Sequence, residues 1–114
     1  MSTPLELVEH QLAAYNARDL GRFLEVFSDD IEVTRLPATA PSIVGKAALG
    51  KFYAENRFNL PDLHARIVNR MVMGSKVVDH ESITGIGPKP LEILVVYSIE
   101  NSLIRRMWSA LPEA

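Results

Sequence analysis

Three consecutive ionisable residues, Asp79, His80 and Glu81, form the segment of this sequence best suited to proton-transfer chemistry. They lie in the run from Val77 to Ile83, where the alternation of apolar and polar residues is typical of a β-strand. Because side chains alternate along a strand, Asp79 and Glu81 share one face and His80 lies on the other. Two carboxyl groups on one half-buried face repel each other, which raises one pKa and predicts an acid/base pair that works near neutral pH.

The same three residues also fit structural roles. Asp79 and Glu81 could form ion pairs with Arg105 or Arg106 of the last predicted strand, or they could face solvent. On the opposite face, His80 is expected at a dimer interface. If the phase of the strand is shifted by one residue, His80 points inward and becomes the general base. All three are therefore candidate catalytic residues, and these alternatives remain open at this stage.

The residue inventory excludes several other kinds of chemistry. Cysteine is absent, which removes thiolate nucleophiles, disulfides and every cysteine-containing metal site. His64 and His80 lie on consecutive predicted strands, but no third ligand joins them at a recognisable spacing, so no metal is expected. Gly85 and Gly87 precede Pro88 and a strand, where a phosphate-binding loop would precede a helix, so no nucleotide cofactor is expected.

Length and charge restrict the fold and the partners. The 114 residues correspond to one domain, 1–114, with a formal charge of -2, 47% hydrophobic residues and 23% charged residues. The sequence has no basic stripe, so nucleic acid is not an expected partner. No apolar run approaches the roughly 18 residues of a membrane span, and the first residues lack the pattern of a secretion signal. We therefore expect a cytoplasmic protein with no membrane partner.

The spacing of apolar residues and turn signals predicts the order α-α-β-α-β-β-β-β. The apolar stripes of the helices are Leu5, Val8, Leu12 and Tyr15 in the first, Leu20, Phe23, Leu24 and Phe27 in the second, and Ala48, Leu49, Phe52 and Tyr53 in the third. The third helix is predicted from near Gly45 to no further than Leu60. The strands are predicted at about 31–36, 63–73, 76–84, 91–99 and 103–110. This order favours an α+β fold with helices on one face of a curved, mainly antiparallel sheet.

Four segments carry a family resemblance: Ala14–Leu20, Phe27–Val33, Gly45–Ala48 and Ile104–Trp108. With them, nearly the whole chain resembles the NTF2-like superfamily, and within it the small SnoaL-like and ketosteroid-isomerase-like bacterial proteins. The resemblance implies a cone-shaped α+β fold, with three N-terminal helices packed on the sheet around a deep apolar pocket. It also implies a homodimer. The scaffold serves many reactions, so the residues of this chain must decide its function.

The sequence departs from the ketosteroid isomerases at their catalytic positions. Ketosteroid isomerases use a carboxylate base on the first strand and two oxyanion donors, a Tyr and a protonated Asp. Here Gln11 stands where the Tyr would be, Arg35 or Thr34 where the base would be, and Val95 where the acidic donor would be. A limonene-epoxide-hydrolase-like member carries an Arg-x-Asp pair on the strand that here reads Asp79-His80-Glu81, so an arginine would have to come from elsewhere.

Further residues are expected to bind a ligand, with Tyr15 or an arginine orienting it and apolar side chains surrounding it. They are Tyr15, Arg35, Phe52, Arg105, Met107 and Trp108, of which Trp108 either caps the pocket or packs in a dimer interface.

We expect the protein to bind a small, largely apolar organic molecule in a closed pocket. Cofactor-free acid/base catalysis by Asp79 and Glu81 is the expected chemistry: isomerisation, dehydration, cyclisation or hydration. The alternative is a non-catalytic ligand-binding or dimerisation module. In either case we expect a homodimer formed through the outer face of the sheet.

Overall fold

The computed structural model describes residues 2–112, so Met1 and residues 113–114 of the predicted unit 1–114 lie outside the described residues. Within residues 2–112 the chain forms three helices and six strands, in the order α1 Pro4–Ala17, α2 Leu20–Leu24, β1 Phe27–Arg35, β2 Ile43–Val44, α3 Lys46–Asn56, β3 His64–Met73, β4 Lys76–Thr84, β5 Leu91–Glu100 and β6 Leu103–Ala110.

Helix α1 begins with a capping box. The backbone N–H of Glu6 donates to the Thr3 hydroxyl, and the Thr3 N–H donates to the Glu6 carboxylate, so two otherwise unpaired N–H groups are satisfied. The buried face of α1 differs from the predicted stripe. Leu5 and Leu12 are only partly buried, whereas the buried residues are Leu7, Val8, Gln11, Ala14 and Tyr15.

Helix α2 is shorter than predicted, and β1 begins earlier. Phe27 was expected on the buried face of the second helix, but it starts β1 and pairs with Ile104 of β6. The apolar spacing of Phe23 and Phe27 fits a helix, but the parallel pairing with β6 determines the conformation. Phe23 and Phe27 are both fully buried and lie 4.9 Å apart between ring centroids.

The six strands form one mixed sheet in the order β2-β1-β6-β5-β4-β3. All neighbours are antiparallel except β1 and β6, which are parallel. The curved, mainly antiparallel α+β sheet is confirmed. The prediction of three N-terminal helices is confirmed only in part, because α3 follows β1 and the short strand β2, which the sequence reading missed.

Two single-residue bulges change which side chains face inward. In β3, Ile67 pairs with Glu81 and Asn69 pairs with His80, so Val68 is an extra residue. In β6, Ile104 pairs with Ile99 and Arg106 pairs with Ser98, so Arg105 is an extra residue. Past each bulge the alternation of side chains shifts by one position.

The core lies between the inner face of the sheet and the three helices. Aromatic rings occupy its centre: Phe23 contacts Tyr53 at 4.6 Å and Phe58 at 5.2 Å between centroids, and Tyr15 contacts Phe58 at 5.6 Å. The Asn16 side chain links α1 to β3, since its amide donates to the Ala65 carbonyl and its oxygen accepts from the Ala65 N–H. These contacts hold α1 over the sheet and leave a cavity beside Tyr15 and Tyr53.

Candidate functional site

A cavity of about 170 Å³ lies between the inner face of the sheet and helices α1 and α3. The cavity opens beside Arg35 and Leu111, which are exposed. A closed pocket was expected, so the observed cavity differs in being open on this side. Apolar side chains make up most of the wall, and the polar groups come from Gln11, Tyr15, Arg35, Tyr53, Arg57, Glu81, Tyr97 and Ser109.

The cavity brings together five of the nine residues that the sequence predicts for the site: Glu81, Tyr15, Arg35, Phe52 and Met107. The other four, Asp79, His80, Arg105 and Trp108, are not part of its wall. The predicted set of three catalytic residues is therefore separated, with Glu81 alone reaching the cavity.

Glu81 is a buried acid in the wall of the cavity. It is 5% exposed, and its Oε2 accepts a hydrogen bond of 3.3 Å from the hydroxyl of Tyr97. The Tyr97 oxygen in turn accepts a 3.1 Å bond from the side-chain amide of Gln11. Burial, and secondarily the charge of Asp79, raises the pKa of Glu81 to about 7, against smaller opposing effects of Tyr97 and Arg70. Glu81 can therefore both take up and release a proton near neutral pH.

Tyr97 is a site residue that the sequence reading missed, and Gln11 was noted only as the residue at the position of the isomerases' Tyr, with no role in the site. Tyr97 lies on the inner face of β5 together with Val95 and Ile93, and this period-two pattern was a usable signal for it. Burial raises the pKa of Tyr97 well above its ordinary value, so its hydroxyl remains a donor. The signal for Gln11 was weaker, because it is a polar residue on the most buried face of α1.

Asp79 lies on the same face as Glu81 but serves a different purpose. It is fully buried, and Arg70 of β3 donates two hydrogen bonds to its carboxylate, at 2.6 and 2.9 Å. Arg70 also approaches Glu9 of α1 at 3.9 Å, so the group connects β4, β3 and α1. The prediction that Arg105 or Arg106 forms the ion pair with Asp79 is wrong. The Val68 bulge explains this, because it turns Arg70 inward opposite Asp79.

Arg105 was expected to bind substrate, but its guanidinium lies outside the cavity. It forms ion pairs with Asp30 at 3.0 Å and Glu32 at 3.7 Å, both on β1. Simple alternation from Met107 would place Arg105 on the inner face. Arg105 is the extra residue of the β6 bulge, so that alternation does not hold.

His80 and Trp108 lie on the outer face of the sheet. His80 Nε2 is 3.4 Å from a carboxylate oxygen of Glu92 on β5, and this position gives His80 no access to the cavity. The shifted-phase alternative, with His80 as the general base, therefore does not fit the geometry. Trp108 pairs with Val96 across β5 and β6, so it does not cap the cavity.

Two arginines and a phenyl ring form the mouth of the cavity. The guanidinium carbon of Arg35 lies 4.9 Å from the centroid of Phe52, and that of Arg57 lies 5.3 Å from the same centroid. Nearby, Tyr15 is 7% exposed, and its buried hydroxyl has no hydrogen-bond partner among the described residues. Burial raises the pKa of Tyr15, so this group is a donor without an acceptor.

Residues 2–112 contain no group of three His, Asp or Glu side chains that could hold a metal ion. In the same range no helix is long and apolar enough to cross a membrane.

Comparison with known protein families identifies the family of this chain. The family model described as the SnoaL-like domain matches residues 8–107. The chain belongs to this family. Its fold is also that of the NTF2-like superfamily, as the resemblance implied. No curated protein matches the sequence of this SnoaL-like chain.

Solved structures share the fold of this SnoaL-like domain at low sequence identity. An uncharacterized cystatin-fold protein from Novosphingobium aromaticivorans has a TM-score of 0.84 and 24% identity, covering 96% of this chain and 98% of that one. A proposed ketosteroid isomerase from Kribbella flavida has a TM-score of 0.80 and 23% identity, with coverage of 95% and 76%. A proposed polyketide cyclase from Sinorhizobium meliloti has a TM-score of 0.76 and 19% identity, with coverage of 90% and 92%.

The three positions at which the sequence departs from the ketosteroid isomerases all have a counterpart in the wall of the SnoaL-like cavity. Gln11, Arg35 and Val95 line it, and none of them is a carboxylic acid. Thr34, the alternative at the position of the base, is not part of the wall. Among the described residues, the carboxylic acid in the wall of this cavity is Glu81, which approaches from β4.

Proposed function

We propose that this protein binds a small, largely apolar organic molecule in the cavity and moves a proton on it with Glu81, without a cofactor. The observation that carries the proposal is the buried Glu81 carboxyl in an apolar wall, with a pKa of about 7. A carboxyl group with that pKa is divided between its two protonation states at neutral pH. This is the condition for taking a proton in one step and returning it in the next.

The geometry assigns each polar group of the chain Gln11–Tyr97–Glu81 a task. Gln11 donates to the Tyr97 oxygen, which leaves the Tyr97 hydroxyl hydrogen directed at Glu81. One Glu81 oxygen is thereby occupied, and the other is left for the substrate. The carboxylate takes a proton from a carbon beside a carbonyl, the electron pair of the C–H bond forms the C=C bond of an enolate, and the π pair of the carbonyl moves to its oxygen. The same carboxyl then returns the proton to another carbon or to a leaving hydroxyl group.

Isomerisation and dehydration both contain this proton transfer. The structural neighbours proposed as a ketosteroid isomerase and a polyketide cyclase give the fold a precedent for such chemistry, but the assignment to this chain rests on Glu81.

Hydrogen exchange at the α-carbon of one-ring ketones tests the proposal. Cyclohexanone and cyclohex-3-enone are incubated with the protein in D₂O, and deuterium incorporation is followed by NMR. We expect the wild type to accelerate exchange and Glu81→Gln to return it to the buffer rate. Glu100→Gln changes an exposed carboxylate at the end of β5 and serves as the matched control, with wild-type exchange expected.

Two results would overturn the proposal. Exchange at the wild-type rate in Glu81→Gln would remove Glu81 from the reaction. Ketones that bind in the cavity of the wild type without any acceleration of exchange would favour the second candidate, a binding module without catalysis.

A separate proposal concerns the outer face of the sheet, which we define by Met71, Val78, Leu94, Val96 and Trp108. Met71 is 61% exposed and Leu94 is 42% exposed, so apolar area is left uncovered there. We propose that a second copy of the chain covers this face, in a homodimer that is compatible with either function.

A further inference from the structure

Resting on the proposed function, we propose that the cavity takes an apolar carboxylic acid with a one-ring body, whose carboxylate binds to Arg35 and Arg57 at the mouth. The acid enters with its apolar body toward Glu81. This names the class of substrate, which the fold alone leaves open.

The first observation is the state of the two arginines. Both guanidinium groups lie within about 5 Å of the Phe52 ring, so two positive charges share a small region. Among the ion pairs of residues 2–112, neither Arg35 nor Arg57 has a carboxylate partner. Arg57 uses one N–H on the backbone carbonyl of Asn56, which leaves further donors of its fork free. An anion at the mouth would neutralise this repulsion and accept those donors.

The second, independent observation is the Tyr15 hydroxyl. It lies in the cavity wall, is buried, and has no partner among the described residues. A buried hydroxyl without a partner costs about 1–3 kcal/mol, which an oxygen of a bound ligand would recover. Arg57 lines the same cavity as Tyr15, so a carboxylate bound there can contact both groups.

The third observation is the polarity of the cavity along its length. At the mouth both arginines lie over Phe52, whose ring contacts Tyr53 at 5.3 Å between centroids, whereas Glu81 accepts its hydrogen bond from Tyr97 on β5. The charged neighbours of Glu81 itself are Asp79 and Arg70. The cavity therefore has a cationic end at the mouth and an acid/base end inside. A substrate that fits it has its reacting carbon remote from its carboxylate.

The size of the body follows from the volume. A cavity of about 170 Å³ is close to the roughly 150 Å³ that holds benzene in a dry protein interior. One ring fits this space, and a short chain can connect the ring to the mouth.

Isothermal titration with 3-phenylpropionate, 3-phenylpropanol and 3-phenylpropylamine tests the inference, because the three probes share a body and differ in charge. We expect the acid to bind at least about tenfold more tightly than the alcohol, and the amine more weakly than both. Arg57→Gln and Arg35→Gln should each weaken binding of the acid by about tenfold and leave that of the alcohol unchanged. Tyr15→Phe should weaken binding of the acid several-fold.

Arg22→Gln is the matched control, because Arg22 is exposed on α2 and is not part of the cavity wall. Its affinity for the acid should equal that of the wild type. Melting temperatures of all variants identify any loss of folding.

Equal affinity for the acid and the alcohol would overturn the inference. An affinity for the acid that stays unchanged in both Arg35→Gln and Arg57→Gln would overturn it as well. Either result leaves proton transfer by Glu81 untouched, since that is read from deuterium exchange. Conversely, tight binding of the acid in a protein that exchanges no ketone hydrogens would support the anion site and overturn catalysis. Failure of all three probes to bind would overturn the inference, and the deuterium exchange of the ketones would still decide the proposed function.

Discussion

At the scale of single residues, Glu81 opposes the stability of the fold whenever it is ionised. Its carboxyl is 5% exposed and lies on the same strand face as Asp79, whose charge is held in place by Arg70. A second negative charge there is costly in free energy, and this is the cause of the raised pKa. A group of this kind is retained for chemistry more readily than for stability.

The pH dependence of stability follows from this residue. The pKa of Glu81 is raised from 4.5 to about 7 in the folded protein, so the folded state binds the extra proton between these values. Its contribution is fully favourable below about pH 4.5 and is lost as the pH rises through 7. The free energy of unfolding of the wild type, relative to Glu81→Gln, should fall by roughly 3 kcal/mol between pH 4.5 and 8.

Urea denaturation of both proteins across this range measures the difference. Glu100→Gln, which changes an exposed carboxylate, is the control and should differ from the wild type by only a small offset. A constant difference between the wild type and Glu81→Gln would show that Glu81 titrates normally.

Asp79 and Arg70 illustrate the opposite use of buried charge. Arg70→Met leaves the fully buried Asp79 carboxylate unpaired and should lower the free energy of unfolding by about 3–5 kcal/mol. The double variant Asp79→Leu with Arg70→Met removes both charges and should recover most of that loss. Denaturation in urea at pH 7 measures both. A double variant no more stable than Arg70→Met would mean that the pair contributes mainly through its shape.

At the scale of elements, strand bounds were predictable from the turn signals, and side-chain direction was predictable where a strand has no bulge. β4 and β6 have the predicted bounds, and the inward face of β4, with Asp79 and Glu81, follows from period two. The bulges were not predictable, because no glycine or proline marks Val68 or Arg105. Each bulge is decided by pairing with a neighbouring strand, which is not local in sequence. This is why the arginine of the Asp79 ion pair was assigned to the wrong strand.

The residues of the cavity wall also divide into those that were predictable from sequence and those that were not. Tyr15 and Phe52 reach the cavity because they belong to the apolar stripes of their helices, and Met107 reaches it by alternation along β6. Gln11 is found in the cavity wall because α1 is rotated relative to the predicted stripe, and rotation is set by packing against β3 and β4. A polar residue on a helix carries no sign of this in its own type.

The turn after β4 gives a prediction at the same scale. Gly85 has φ 90°, and a methyl group there would overlap the backbone of Asp62. Gly85→Ala should therefore lower the free energy of unfolding by at least about 2 kcal/mol. Gly74 has φ 56° with open space around it, so Gly74→Ala should cost only about 1–2 kcal/mol.

Gly87 completes this series. Its φ is not positive and nothing lies within 4 Å of an added methyl group, so Gly87→Ala should be nearly neutral. Thermal denaturation of the three variants ranks them, and equal melting temperatures for Gly85→Ala and Gly87→Ala would contradict the predicted clash.

At the scale of the whole molecule, the proposed homodimer makes the outer face the site of a decisive substitution. Leu94→Lys places a charge in the centre of this face and should convert a dimer into a monomer in sedimentation velocity. Val44→Lys is the matched control, since Val44 is 59% exposed on the edge strand β2, which β1 and β6 separate from the strand of Leu94. It should remain dimeric. A wild type that is monomeric at every concentration tested would overturn the proposed dimer.

The bulge in β3 has a consequence for the behaviour of the protein in a crowded solution. β3 is an edge of the sheet, and a regular apolar edge is a template on which further chains can add strands. Here the extra residue Val68 interrupts the hydrogen-bond ladder, and Arg66 and Arg70 carry charge on either side of it. A second chain can align with only part of such an edge. The Val68 bulge, which turns Arg70 toward Asp79, thus also protects the protein against edge-to-edge aggregation.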